Sequence, residues 1–98
     1  METRVAIIGI IVENRDENKQ SIEKLNSILH DYGNYIIGRM GLPYREKGIS
    51  IISVAVDAPQ DVISALSGKL GRLPGVSTKT LYAKTGKAKS EGSDEGAG

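Results

Sequence analysis

Long apolar runs alternate along the chain with stretches whose apolar residues recur every third or fourth position, and this alternation sets the order of elements. The first run, Val5-Ala-Ile-Ile-Gly-Ile-Ile-Val12, is rich in β-branched residues and ends in the polar group Glu13-Asn14-Arg15-Asp16. That pattern predicts a buried strand leading into a helix start. Ile22, Leu25, Ile28 and Leu29 then recur at helical spacing. Asn14 or Asp16 is placed to cap the helix, and Gly33 to stop it in a left-handed conformation. A second extended stretch runs from Tyr35 to Leu42, a polar turn from Pro43 to Gly48, and a third apolar run from Ile49 to Val56, which together predict an antiparallel hairpin. Asp57 and Pro59 mark a second helix start, and Val62, Ile63, Leu66 and Leu70 its buried face. The break from Gly71 to Gly75 around Pro74 precedes a last strand from Val76 to Tyr82.

The order strand, helix, strand, strand, helix, strand predicts an α+β, ferredoxin-like (βαββαβ) fold: a four-stranded antiparallel sheet in order 4-1-3-2 with two helices on one face. Central strands in such a sheet are the most apolar, and edge strands carry charge. The first and third runs satisfy the first condition, and Arg39 and Lys79 the second. Two helices cover one face only, so Val5, Ile7, Ile11, Ile49 and Ile51, which alternate away from Ile8, Ile10, Val12, Ile52, Val54 and Val56, are left on the other face. A second subunit is the simplest cover for such a patch, which predicts a homo-oligomer, dimer or tetramer.

Composition narrows the function classes. A chain of 98 residues is enough for one domain with an adequate core. We assign that domain to residues 1–83. From Lys84 to Gly98 only Lys, Ala, Thr, Gly, Ser, Glu and Asp occur, which predicts a disordered tail. Thirteen Lys and Arg nearly cancel twelve Asp and Glu (13 against 12), so no global field draws the chain to nucleic acid or anionic membrane. Both helices are needed by the sheet, leaving no separate DNA-reading segment, and direct nucleic-acid binding by this chain alone is not expected. The absence of cysteine removes disulfides, thiol nucleophiles and thiolate metal sites, and fits a cytoplasmic location. The run from Val5 to Val12 is too short to span a membrane and lacks a cleavage signature.

Three blocks then carry a resemblance: Gly38-Arg-Met-Gly-Leu-Pro-Tyr-Arg45, Ile49-Ser-Ile-Ile-Ser53, and Ile63-Ser-Ala-Leu-Ser-Gly-Lys-Leu-Gly-Arg-Leu-Pro-Gly-Val76. Together they resemble the regulator family of the iron-only hydrogenase system, over Arg4 to Lys84. The resemblance implies an ACT-like fold, similar also to the sensor domain of nickel-responsive repressors, and a regulatory role tied to hydrogenase maturation. No glycine follows the first strand where amino-acid-binding ACT domains often place one, and the histidine cluster of the nickel sensors is missing. Neither ligand carries over.

Candidate chemistry concentrates in two places. Arg39, Tyr44, Arg45 and Lys47 surround the second strand and hairpin, where cationic donors suit a carboxylate, a phosphate or a partner's acids; an ordinary solvated turn has the same composition. Asn14 and Arg15, with Glu13 and Asp16, occupy the strand-to-helix turn, where ACT-like modules tend to hold effectors, although capping explains such residues as well. Gly38 and Gly41 point to a bulge more than to a ligand. Ser67-Gly-Lys-Leu-Gly71 lacks the spacing of a phosphate loop. His30, the one histidine, suits a helix C-terminus and makes a metal site only if copies converge by symmetry. No nucleophile, base and orienting group form a set, so no enzymatic activity and no cofactor are expected. The sequence therefore predicts a non-enzymatic, self-associating regulator that binds a small effector or partner protein at a subunit interface. A metal-sensing module built across an oligomer and a purely structural assembly protein are the alternatives.

Overall fold

Strict in-and-out alternation shapes the first strand: in a computed structural model, which describes residues 2–84, β1 (Arg4–Glu13) buries Ala6, Ile8, Ile10 and Val12 and turns their neighbours outward. β1 pairs antiparallel with β3 (Ile49–Ala58) on one side and β4 (Val76–Tyr82) on the other. β2 (Ile36–Tyr44) pairs with β3, so the sheet reads β2-β3-β1-β4. This is the expected order read from the opposite edge, and the fold is ferredoxin-like.

The helices α1 (Lys19–Asp31) and α2 (Gln60–Gly71) share one face. Leu25 and Leu29 from the first and Ile63, Leu66 and Leu70 from the second bury against the inward residues of β1 together with Val54, Val56 and Ala58 of β3. Each of the valines, leucines and isoleucines among them, taken from water, contributes about 1.5–3 kcal/mol. The expected stripe of α1 is shifted at its start: Ser21 is buried there, while Ile22 lies at the rim of the core and is exposed.

The helix ends depart from the sequence expectation. Neither Asn14 nor Asp16 caps α1. A 3-10 turn, Asp16–Asn18, comes between, because the Asn14 side chain reaches across to Ser50 and the Asn18 amide donates to the Glu13 carbonyl at 3.1 Å. Gly33 does not adopt a left-handed conformation; the chain tightens into a second 3-10 turn, Gly33–Tyr35. The described glycines with positive φ are Gly48, closing the hairpin after a turn at Arg45–Lys47, and Gly75, leading into β4. Asp57 belongs to β3, and Pro59 alone stands at the start of α2. The tail expected over 84–98 lies, from residue 85, outside the described residues.

Candidate functional site

An edge strand that the helices fail to cover creates a concave feature among the described residues. From Ile37 to Tyr44, β2 is exposed on both sides. A bulge at Ile37, between the Ile36–Val56 and Gly38–Ala55 pairs, sets Arg39 opposite Val54 and therefore on the helix side of the sheet. Gly41 and Pro43 face the same way, opposite Ile52 and Ser50. Between this strand and α1 runs a cleft of about 240 Å³, walled by Ile22 and Leu25, backed by Ile52 and Val12, and opened by the missing side chain of Gly41. Arg39 stands at one end, where its Nη2 donates to Oδ1 of Asn26 at 3.2 Å. At the other end Ser50 faces the side chain of Asn14, with the Asn14 Nδ2 donating to its Oγ at 3.1 Å. The cleft is thus apolar along its length and polar at both ends.

The remaining predicted residues are elsewhere. Arg15 lies against two carboxylates, Glu13 at 3.5 Å and Glu17 at 3.7 Å, all well exposed. Tyr44 is opposite Ile49 on the outer face of the sheet, where its hydroxyl donates to Glu46 at 3.0 Å. Arg45 and Lys47 are exposed in the hairpin turn. Of the two clusters expected from sequence, the fold places Arg39 on the cleft and Asn14 just beyond it, bonded to the lining residue Ser50, and separates Arg15, Tyr44 and Arg45 from it. Asn26 and Ser50 complete the cleft; Asn26 carries no sequence signal, and Ser50 is singled out in the sequence only as part of the Ile49-Ser-Ile-Ile-Ser53 block. Only a helix-to-edge-strand distance, which sequence periodicity does not contain, brings them into play.

The outer face is a second feature. Val5, Ile7 and Ile11 of β1 and Ile51 of β3 are exposed there, as the alternation predicts. The edge strands extend it: Met40 and Leu42 of β2 and Leu81 of β4 share this side, with Met40 69% and Leu81 70% exposed. These edge residues were legible in the alternation of β2 and β4 behind the more conspicuous Arg39 and Lys79. Among the described residues, charge on this face is confined to the ends and one edge, at Glu13, Asp57, Lys79 and, beside Tyr44, Glu46.

Other motifs resolve simply. Ser67 to Gly71 is the last turn of α2, not a phosphate loop. His30 is exposed in the last turn of α1, and no group of three or more metal-ligating side chains occurs among the described residues. No helix among them is long and apolar enough to cross a membrane.

The comparisons with known proteins agree with this architecture. A solved structure described as "The structure of uncharacterized protein TM1266 from Thermotoga maritima" is similar, with 38% sequence identity and a TM-score of 0.79, covering 85% of this chain and 100% of that one. No curated protein matches. The TM1266-like family, described as "Iron-only hydrogenase system regulator, putative", matches residues 4–80, which takes in all four strands but the last two residues of β4. On that match the chain belongs to the TM1266-like family.

Proposed function

We propose that this chain is a non-enzymatic regulatory module of the iron-only hydrogenase system, with residues 1–83 as its folding unit, that assembles with copies of itself through the outer face of the sheet. The regulatory part of the reading follows the family. The assembly rests on one observation: Val5, Ile7, Ile11, Ile51, Met40 and Leu42 stand exposed on one side of three neighbouring strands. A contiguous apolar surface of that kind marks an interaction site more often than a free surface. A second copy suits it because charge is kept to the margins, so that two identical faces meet without opposing like charges at the centre. Effector or partner binding then acts by favouring one assembly state over another, with a coupling no larger than the difference in affinity for the two states.

Native mass spectrometry of the protein purified from its own host tests the reading, since one spectrum gives subunit number and any retained ligand or metal. A dimer or tetramer is expected, reverting to monomer when Ile7 and Leu42 are both changed to Asp. A wild-type protein that stays monomeric at micromolar concentration removes the interface and with it the proposed mode of regulation.

A further inference from the structure

The cleft between α1 and β2 has a chemistry of its own. Its interior is aliphatic, and none of its lining residues is an acid. The one charge is Arg39, whose recorded partner is the neutral Asn26; among the described residues its guanidinium has no carboxylate within ion-pair distance. Because the Asn26 oxygen accepts from Arg39, the amide NH₂ of Asn26 is a second donor, and it donates to no protein group among the described residues. Two donors, one of them cationic, therefore flank one end of an apolar slot, an arrangement matched by a carboxylate on an apolar body. The volume of about 240 Å³ falls below the usual range of pockets for drug-sized ligands, which suits a small body. The missing acid matters equally, because an ammonium brought into the slot would lose water without gaining a counter-charge.

We propose that this cleft binds a small apolar monocarboxylate, with the carboxylate on Arg39 and Asn26 and the hydrocarbon body against Ile22 and Ile52 beside the bare Gly41, and that it discriminates against the corresponding amino acid. The proposal deepens the reading of the chain as an effector-binding regulator and rests on that reading for its biological meaning. It places the effector within one chain, on the side of the sheet opposite the assembly face.

The test is a backbone-amide NMR titration of the full chain with 4-methylpentanoate, its uncharged amide, leucine, phenylacetate and benzoate. Signals of Asn26, Arg39, Gly41 and Ile52 are expected to shift with the simple acids, and leucine and the amide to bind at least about tenfold more weakly, as loss of a charge-assisted contact implies. Arg39→Gln is expected to weaken the acids by about tenfold. Gly41→Leu fills the slot at a position with open space for a side chain, and is expected to abolish binding while the protein stays folded. Equal affinity for acid and amide overturns the proposal. So do shifts confined to the outer face, undiminished binding by Gly41→Leu, or no shift with any acid up to tens of millimolar. Light scattering on the same samples separates the two readings. Cleft binding without any change in assembly upholds the site and removes its regulatory meaning. A change in assembly without cleft shifts overturns the site and leaves the regulatory reading in place.

Discussion

Gly75 sits at φ 75° with its carbonyl accepting from the Glu13 N–H at 2.9 Å, so the entry to β4 is tied to the end of β1. A Cβ there would stand 2.1 Å from Nδ2 of Asn18, which is itself buried and bonded to the Glu13 carbonyl. Two penalties therefore act together on Gly75→Ala, a left-handed backbone and a collision with a buried amide that would have to give up its bond to the Glu13 carbonyl, which the Arg15 N–H at 3.1 Å would still hold. We expect a loss of about 2–3 kcal/mol by urea unfolding. A loss below about 0.5 kcal/mol would show that the Asn18 knot yields freely. The neighbouring contact, Ser21 Oγ donating to the Pro74 carbonyl at 2.8 Å, fastens α1 to the same loop from inside the core. Ser21→Ala is expected to cost about 1 kcal/mol in the same assay. By contrast, Arg15 and its two carboxylate partners are largely exposed, and Arg15→Ala should change stability by less than about 0.5 kcal/mol, since exposed pairs of this kind are worth little.

At the scale of elements, β1 is the test of how the two faces differ. Ile8 is fully buried at 0% exposure and Ile7, its neighbour, is 45% exposed, although both are isoleucines in the same strand. Ile8→Ala should cost about 2–5 kcal/mol by opening a cavity among close-packed side chains. Under conditions where the protein is monomeric, Ile7→Ala should cost under about 1 kcal/mol. A comparable cost for both in the monomer would mean that the outer face is covered within a single chain, against the assembly proposal. The uncovered length of β2 is the other element of consequence, because the cleft exists only where the sheet extends past α1. Two of its features are backbone ones, the bulge at Ile37 that aims Arg39 and the bare Gly41 that leaves room beside it.

For the whole molecule, an interface driven by apolar burial should be nearly indifferent to ionic strength. Screening acts on charges, and over the outer face of the described residues these stand around the margin, at Glu13, Asp57, Lys79 and the Glu46 carboxylate on Tyr44. Sedimentation at low and high sodium chloride is expected to give dissociation constants within about threefold of each other. A steep salt dependence would instead point to assembly through the charged hairpin turn of Arg45 and Lys47. Metal content distinguishes a further arrangement: His30→Ala should leave the metal bound per subunit unchanged, whereas its loss would reveal copies of His30 converging across the oligomer.

The amino-acid sequence by itself determined the elements, their order in the sheet and which residues point inward, because strand and helix periodicities are local properties written directly into the spacing of Ile8, Ile10 and Val12 or of Leu25 and Leu29. It also exposed the outer apolar face, since the same alternation that buries Ile8 turns Ile7 out. Helix ends were less legible: Asn14 and Asp16 have the right chemistry to cap a helix, and a competing partner across the chain, Ser50, takes the first of them. The candidate site was divided. Arg39 in the second strand and Asn14 in the strand-to-helix turn were visible as polar candidates, but whether Arg39 borders a cleft depends on how far α1 packs from β2, a spacing that the short link over 32–35 does not fix. Asn26 acquires meaning only through that distance, and Gly41, expected to mark a bulge, instead leaves open space on the cleft. Tertiary structure alone decided it, because the gap between a helix and an edge strand is set by the packing of the whole core beneath them, which no short window of residues encodes.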